Sequence, residues 1–288
     1  MPPYSFQDHQ TASRSSGAVT LHASHSPLSA IRPSRRAIVL GLMAVAGTVL
    51  PAQVAVAAPV QPAGLTAAIN ASANYSFTTL DNPADPTFNQ LLGINDFGVI
   101  AGYFGSGFPA ATHPSKGYRV APYSGASFTN ENYPGSQQTQ VMAINDWGNT
   151  VGLYVNTAGA YFGFLDEGGV MTSVSDPNTT SKPAINELLG LNNQGTAVGF
   201  YNDARGNSHA YEWHRKTGVF TPIVPFGSSS ATATAINDHG TVAGAYAEAN
   251  GTTAGFILKG TTDMSIEFPG ALDTLILGLN NEGTVVGK

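Results

Sequence analysis

The chain has 288 residues, of which 42% are hydrophobic, only 10% are charged and 33 are glycine, and its formal net charge is −6. Such a chain is long enough to bury a core, and abundant glycine is typical of short strands joined by tight turns. The sequence lacks cysteine, which excludes disulfides, thiolate metal sites and thiol nucleophiles. Acidic residues outnumber basic ones and no run of basic residues occurs, which argues against nucleic acid or anionic membranes as partners.

The N-terminal region has the pattern of an export signal. Residues 1–31 are rich in Ser, His and Pro without hydrophobic periodicity. We therefore expect them either to be disordered or to result from a start codon placed too far upstream. Arginines, including the pair Arg35-Arg36, then precede the apolar run 37–50, which is shorter than the roughly 20 residues of a membrane-spanning helix. We predict a signal over residues 32–57, cleaved after Ala57, with a twin-arginine route indicated and no stable membrane insertion afterwards. An uncleaved N-terminal anchor is the alternative.

A short phrase, Ile/Leu-Asn-Asp/Asn-x-Gly, occurs five times in the rest of the chain, each time with a second glycine four residues further on. Its asparagines are separated by 50, 47, 45 and 43 residues, a period that fits one blade of a β-propeller. Asn and Asp cap turns, and glycine adopts positive φ, so each phrase predicts a tight hairpin. The structural turn residues predicted in this way are Asn95, Asp96, Gly98, Asn145, Asp146, Gly148, Asn192, Asn193, Gly195, Asn237, Asp238, Gly240, Asn280, Asn281 and Gly283.

Each unit contains four short segments with the features of β-strands. In the second unit they span residues 140–145, 149–154, 161–166 and 170–176, each bounded by turn-forming residues. A Gly-aromatic pair opens the third segment in several units, and a proline follows the fourth, where its missing N–H suits an edge strand. The residue two before each motif asparagine is Gly or Ala, as crowding of inner strands around a channel requires.

These patterns predict an all-β fold, a five-bladed β-propeller of four-stranded repeats of about 43–50 residues, forming one domain over residues 58–288. The fifth unit has only two strands before Lys288, whereas residues 65–72 and 75–81 match the positions of a third and a fourth strand. We therefore expect strands from both termini to close the ring, which removes exposed sheet edges. An incomplete fifth blade is the alternative.

Residues 75–288 resemble the exported bacterial proteins built from HAF-type repeats, whose units run H-A/G-F-L, a Pro-Gly step and I-N-D-x-G-x-x-V-G-Y. The core phrase recurs in register in all five units, and Pro134-Gly135 and Pro269-Gly270 keep the Pro-Gly step. The histidine of the first triplet remains only in His209-Ala210-Tyr211. The resemblance implies export and a repeat architecture and carries over no catalytic residue. The predicted architecture is also similar to that of tachylectin-type sugar-binding propellers, an analogy of fold alone.

An aromatic residue ends the second strand of the first four units. One interpretation is packing between neighbouring blades, because aromatic residues contribute much of core burial. The other is a set of stacking platforms for sugar rings, with polar side chains in the loop after the third of these strands available to hydrogen-bond hydroxyl groups. The candidate ligand-binding residues are Phe104, Tyr154, Tyr201, Tyr246, Asp203 and Arg205.

We expect no metal, cofactor or catalytic residue. The motif aspartates are replaced by asparagine in two units and no D-x-D-x-D-G loop occurs, so turn capping is favoured over calcium binding. The histidines outside the signal lack metal-binding spacing, and neither a nucleophile elbow nor a phosphate-binding glycine loop is present. The residue before each motif glycine varies freely, which indicates surface positions without a shared role; a common role on one rim is the alternative. These residues are Phe97, Trp147, Gln194, His239 and Glu282.

Three functions are compatible with the sequence. The first, which we favour, is a secreted or periplasmic binding or scaffold module whose partner is a carbohydrate or cell-envelope polymer. The second is a propeller hydrolase or lyase acting on a polysaccharide, which would require two carboxylates, or a histidine and a carboxylate, to converge over the channel. The third is a surface or spacer protein without a small ligand. The sequence determines neither the ligand nor the oligomeric state.

Overall fold

The computed structural model describes residues 78–109, 112–121 and 127–288, and there the chain folds almost entirely into antiparallel β-sheet. Four four-stranded sheets and one two-stranded sheet follow one another in chain order, numbered here sheets 1 to 5, and within each sheet consecutive strands are neighbours. The strands are β1 (Asn89–Ile94), β2 (Ile100–Phe104), β3 (Lys116–Ala121) and β4 (Ser127–Asn130) in sheet 1; β5 (Gln138–Ile144), β6 (Thr150–Val155), β7 (Tyr161–Glu167) and β8 (Val170–Val174) in sheet 2; β9 (Asn186–Leu191), β10 (Thr196–Asn202), β11 (Ser208–His214) and β12 (Val219–Ile223) in sheet 3; β13 (Ala231–Ile236), β14 (Val242–Ala247), β15 (Thr253–Lys259) and β16 (Thr262–Ile266) in sheet 4; and β17 (Ile276–Leu279) and β18 (Val285–Gly287) in sheet 5.

Each sheet corresponds to one sequence unit, with the motif at the turn between its first and second strands. The all-β class and the four-stranded antiparallel repeat are therefore confirmed, and the four strands expected in the second unit agree with β5 to β8 to within two residues at each end. The described residues contain one short 3₁₀ turn, Pro225–Gly227. None of their helical segments is long and apolar enough to cross a membrane.

The fifth sheet contains only the hairpin β17–β18 among the described residues. Residues 78–81, expected to be the end of a fourth strand, form no strand. The rest of that segment, the third-strand candidate 65–72, the predicted signal at 32–57 and the stretch 1–31 lie outside the described residues.

The first strand of every sheet contains a β-bulge at the same place. In sheet 2 the pairing of β5 with β6 shifts by one residue between Val141 and Ala143, and sheets 1, 3, 4 and 5 show the equivalent shift. The facing residue is Gly152, where an added Cβ would lie 2.0 Å from the carbonyl oxygen of Gln140. The second glycine of the motif is therefore required by the bulge, because a side chain there would collide with the backbone.

First strands of neighbouring sheets approach each other closely at the small residue two positions before the motif asparagine. A Cβ on Gly93 would lie 2.9 Å from Cα of Ala143, and one on Gly190 would lie 3.0 Å from Cα of Ala235. These contacts join sheet 1 to sheet 2 and sheet 3 to sheet 4. Larger side chains would force the sheets apart, which explains the recurrence of Gly and Ala.

The core consists of layers between successive sheets. One cluster combines Val151 and Leu165 of sheet 2 with Leu188 and Tyr211 of sheet 3. Each Gly-aromatic pair contributes to this packing in two ways. The glycine leaves room for side chains of the next sheet, and the aromatic ring packs into the core of its own sheet. A Cβ on Gly163 would lie 3.0 Å from Cγ of Leu188. The aromatic residue of each pair, with Ala210 in place of the glycine in sheet 3, is essentially inaccessible to solvent; these residues are Tyr118, Phe164, Tyr211 and Phe256.

Candidate functional site

The motif asparagines fasten successive sheets together. The Oδ1 atom of Asn145 accepts hydrogen bonds from the backbone N–H groups of Trp147 (3.1 Å) and Asn149 (3.0 Å), which closes its own turn. Its Nδ2 group donates to the carbonyl oxygen of Asn192 in the next sheet at 3.2 Å. The same link joins Asn95 to Asn145, Asn192 to Asn237 and Asn237 to Asn280. Sequence reasoning anticipated the cap and missed the link, although asparagine is the turn-capping residue that offers both an acceptor and an amide donor.

The residue after each asparagine also connects two sheets, a different role from the turn cap expected of it. The carboxylate of Asp146 accepts the backbone N–H of Asp96 (2.9 Å) from the preceding sheet, and the backbone N–H of Asp146 donates to Oδ1 of Asn193 (2.8 Å) in the following one. Nδ2 of Asn193 donates to both Asp146 (2.7 Å) and Asp238 (2.9 Å). An amide therefore separates two carboxylates that would otherwise repel each other.

Hydrogen bonding favours the ionised form of Asp238. Partial burial opposes its ionisation, but bonds from the backbone and side-chain N–H groups of Asn193 and from the side chain of Asn281 prevail and lower its pKa. Asp238 is thus a fixed acceptor rather than a general acid.

All five motif turns and first strands surround one cavity of about 630 Å³, named here the five-repeat cavity. The described residues of its lining include four carboxylates and no lysine or arginine, so they make its potential negative. The apolar part of the lining lies on the first strands and the polar part at the turns that follow them. The apolar residues include Leu92, Met142, Leu189 and Leu277, and the charged ones are Asp96, Asp146, Asp238 and Glu282.

Two exposed aromatic residues lie on the motif turns beside this cavity. Phe97 is 73% exposed and Trp147 is 76% exposed, and each directly follows a cavity-lining aspartate. The indole Nε1–H of Trp147 donates to the carbonyl oxygen of Asn193 at 3.1 Å, so its orientation is fixed. The sequence favoured positions without a shared role, whereas the structure places both rings on the turns that border one cavity. Large exposed aromatic residues held rigidly are typical of ligand contacts.

Three of the aromatic residues predicted to bind ligand are engaged in contacts within the protein. The ring of Tyr154 stacks on that of Tyr133, with centroids 3.7 Å apart, and its hydroxyl contacts Oγ of Ser173 at 2.9 Å. Tyr246 lies 5.1 Å from Phe226, and its hydroxyl donates to Oγ of Ser265 at 3.1 Å. Phe104 stacks on Tyr118 with centroids 6.4 Å apart.

Tyr201 is less completely covered than the others. One side of its ring packs on His209 at 5.0 Å, and its hydroxyl has no hydrogen-bond partner among the described residues. It lines a second cavity of about 70 Å³, the Tyr201 cleft, together with His209, Asp176, Asn178 and Ser228. Burial, with the carboxylates of Asp176 and Asp203 close by, raises the pKa of Tyr201.

The other two predicted ligand-binding residues lie on the turn after Tyr201. Oδ1 of Asp203 accepts the backbone N–H groups of Arg205 and Asn207, and Oδ2 is 3.1 Å from Nε2 of His209. Burial opposes ionisation, but the contacts with His209 and Asn207 outweigh it and lower the pKa of Asp203. Arg205 is exposed, and its side chain has no hydrogen bond or ion pair within the described part of the chain. The structure thus brings Tyr201, Asp203 and His209 together. Asp203 contacts His209, and the histidine ring packs on the ring of Tyr201.

An unusual carboxyl group lies in the core of sheet 3. Glu187 on β9 is completely buried, and neither of its carboxylate oxygens has a partner among the described residues. This desolvation raises the pKa of Glu187 to about 8. The equivalent residues of sheets 1 and 2 are Gln90 and Gln140, which are neutral at every pH of interest. We therefore assign Glu187 to the core as a neutral acid at pH 7.

Comparison with known proteins identifies no family. No protein-family model matches the chain, and no curated protein matches it. Among solved structures, the chain is similar to the crystal structure of a triple arginine-to-alanine mutant of AofleA from Arthrobotrys oligospora, with a TM-score of 0.40 and 13% identity over 72% of this chain and 73% of that one. A likeness this weak supports no conclusion about function. In the described part of the chain, no group of three or more His, Cys, Asp or Glu side chains is arranged to hold a metal ion.

Proposed function

We propose that this chain is an exported binding module, built as a closed five-bladed propeller, and that it binds carbohydrate at the five-repeat cavity. The observation that carries the proposal is the combination of one cavity shared by all five repeats, a row of fixed carboxylates and two exposed aromatic rings on the adjoining turns. A volume of about 630 Å³ lies in the ordinary range for small-ligand sites.

The chemistry of the site suits a polyhydroxylated ring. Sugar hydroxyl groups donate well to carboxylate oxygens such as those of Asp146 and Asp238, which are already oriented by the side-chain amide of Asn193. The apolar face of a pyranose can lie against the rings of Trp147 and Phe97. Because these groups are held by turns that are fastened to one another, little ordering is required on binding.

Closure of the ring is supported by unpaired groups at the two ends of the array. In the described part of the chain, the carboxylate of Asp96 has no donor and the backbone N–H of Asn281 has no acceptor, whereas the equivalent groups pair at the four other junctions. Ile94 is 64% exposed, although the residues at the same position in sheets 2 and 4, Ile144 and Ile236, are 6% and 7% exposed. A fifth blade completed by strands from residues 58–77 would cover Ile94 and bring Asp96 to Asn281.

A disulfide trap tests this closure, since the chain has no cysteine of its own. Asp96→Cys with Asn281→Cys should oxidise as readily as the matched pair Asp146→Cys with Asn193→Cys, because the backbone N–H of Asp146 already donates to Oδ1 of Asn193 at 2.8 Å. Deletion of residues 58–77 should slow oxidation of the first pair alone. If the matched pair oxidises and the first pair stays reduced in the full-length chain, the ring is open.

Export is tested by the mature N-terminus. Expression in a bacterial host with both secretion pathways should yield a protein that begins at Ala58, as intact mass spectrometry would show. Replacing Arg35 and Arg36 by lysine should retain the precursor in the cytoplasm if the twin-arginine route is used. An unprocessed, membrane-bound product would show that residues 37–50 act as an anchor.

Carbohydrate binding is tested by titration calorimetry of the mature chain with soluble oligosaccharides released from bacterial cell walls and capsules. Trp147→Ala should weaken binding about fivefold or more, because stacking of a ligand ring on an aromatic side chain contributes about 1–3 kcal/mol in comparable sites. Phe268→Ala is the matched control, since Phe268 is 72% exposed but lies in the linker before sheet 5 and not on a motif turn beside the five-repeat cavity. Equal losses in the two variants would exclude the cavity as the binding site.

A further inference from the structure

The aromatic residue that ends the second strand is covered in the same way in sheets 2 and 4. In sheet 2, Tyr133 from the preceding linker lies on one face of Tyr154 and Phe162 lies 5.6 Å away on β7. In sheet 4, Phe226 from the preceding linker packs on Tyr246. In both sheets a serine of the fourth strand, Ser173 or Ser265, contacts the tyrosine hydroxyl.

Sheet 3 lacks both of these partners. The linker ring comes from the residue before the proline in sheet 2, Tyr133, and from the residue after it in sheet 4, Phe226. Ahead of sheet 3 these two positions are Asp176 and Asn178, so neither offers a ring. The fourth-strand position that faces the third-strand aromatic is Ser173 in sheet 2, Ser265 in sheet 4 and Pro222 in sheet 3. Tyr201 consequently keeps only ring neighbours from β11, His209 at 5.0 Å and Tyr211 at 6.5 Å, and no linker ring packs against it among the described residues.

The Tyr201 cleft occupies the place left by these two changes. Asp176 and Asn178 of the linker line it beside Tyr201, where a linker ring packs in sheets 2 and 4. Ser228 also lines it, and its Oγ atom is buried without a hydrogen-bond partner in the described structure. A buried hydroxyl without a partner costs stability unless a ligand or water satisfies it.

We propose that the Tyr201 cleft is a second binding site, distinct from the five-repeat cavity, which accepts one pyranose ring of a carbohydrate. The sugar ring takes the position that Tyr133 has over Tyr154, with its apolar face on Tyr201. Its hydroxyl groups pair with the carboxylate of Asp176, the hydroxyl of Tyr201 and Oγ of Ser228. The assignment of the ligand class rests on the proposed function.

The polar lining favours a sugar over an aromatic side chain in this position. A phenyl ring would cover Tyr201 but leave the hydroxyls of Ser228 and Tyr201 unpaired. A pyranose offers both an apolar face and several hydroxyl donors and acceptors, which matches a lining that combines Ile223 and Pro222 with Asp176 and Ser228. His209 is fixed by Asp203 at 3.1 Å and supports the far face of the tyrosine ring.

The test uses the mature chain with ¹³C-labelled tyrosine and ¹⁵N-labelled tryptophan side chains, titrated with methyl glycosides of glucose, galactose, mannose and N-acetylglucosamine while NMR spectra are recorded. The Tyr201 ring signal, assigned with Tyr201→Phe, should shift, and the signals of Tyr154 and Tyr246 should stay in place. Asp176→Tyr with Pro222→Ser, which copies sheet 2, should abolish the Tyr201 shift without lowering the melting temperature. Ser228→Ala, which keeps the reporter, should weaken binding about threefold to tenfold.

The two sites are read separately in the same spectra. A shift of the Trp147 indole signal without one at Tyr201 overturns the second site and leaves the proposed function standing. A shift at Tyr201 without one at Trp147 supports the second site and rejects the five-repeat cavity. No shift of either signal with any glycoside rejects both, and a Tyr201 shift produced by phenol but by no glycoside shows that the cleft accepts an aromatic side chain instead.

Discussion

The side-chain amide of Asn145 donates to the carbonyl oxygen of Asn192 at 3.2 Å, while its oxygen closes the turn of its own hairpin. One side chain therefore stabilises both its own turn and the contact with the next sheet. Aspartate or serine could cap the hairpin equally well. The presence of asparagine in the first four units follows from the second bond, which requires an N–H donor.

Replacing Asn145 by aspartate should separate these two roles. Asn145→Asp keeps the acceptor for the turn but removes the donor and places a negative charge against a carbonyl oxygen. We expect the free energy of unfolding to fall by about 1–3 kcal/mol in urea titrations at pH 7. Asn149→Asp adds the same charge four residues away, where the side chain has no hydrogen bond within the described structure, and should change stability by about 0.5 kcal/mol or less. Equal effects would show that charge alone is responsible.

Local signals explain why the strands and turns were predictable. Asparagine followed two or three residues later by glycine specifies a tight turn from its own backbone preferences, so the strand boundaries of sheet 2 followed without knowledge of its neighbours. The contacts between sheets were not predictable in this way. The bond between Asp146 and Asp96 joins residues 50 positions apart, and its existence depends on how closely the turns approach each other in space.

In the candidate site, too, local features were predictable from the sequence and contacts between distant residues were not. Sequence reasoning selected Tyr154, Tyr201 and Tyr246 as equivalents, because they occupy the same position in their repeats. It could not separate them, since their surroundings come from the linker before and the strand after. The substitutions of Asp176 for Tyr133 and of Pro222 for Ser173 are visible in the sequence. Their common meaning becomes clear only when the structure shows that both residues line one cleft with Tyr201.

The pH dependence of stability should reveal Glu187. Its pKa is about 8 in the folded protein and 4.5 in a solvated chain, so the folded state holds the proton more tightly. The contribution of this tightly held proton to the free energy of unfolding is therefore fully present below pH 4.5, and it disappears as the pH rises to about 8. Glu187→Gln should therefore match the wild type near pH 4.5 and exceed it by a few kcal/mol above pH 8, as measured by urea unfolding at both values.

Glu267→Gln is the control for this experiment, because Glu267 is exposed. It should leave the pH profile of the wild type unchanged. Glutamine is also the residue at the equivalent position in sheets 1 and 2, so it should fit on β9 without new voids. A wild-type stability that is the same at pH 5 and pH 8.5 would mean that Glu187 is ionised and paired.

The stack of Tyr133 on Tyr154 should contribute measurably to stability. Its rings are parallel to within 2° at a centroid distance of 3.7 Å, and Tyr133 joins the linker to sheet 2. Tyr133→Ala should lower the free energy of unfolding by about 1–3 kcal/mol in thermal or urea melts. Phe268→Ala replaces the residue at the same position in the last linker, where the ring is 72% exposed, and should change it by about 0.5 kcal/mol or less. A comparable loss at Phe268 would mean that another segment covers that ring.

The second motif glycine should tolerate no side chain. An added Cβ on Gly152 would lie 2.0 Å from the carbonyl oxygen of Gln140 and 2.9 Å from the ring of Phe164, so backbone and core must both move. Gly152→Ala should cost roughly 3 kcal/mol or more in the free energy of unfolding. Gly159→Ala is the control, because Gly159 has positive φ but open space around it and should cost only about 1 kcal/mol. If the two variants are equally stable, the bulge on β5 is adaptable, and the recurrence of this glycine must come from backbone conformation instead of contact.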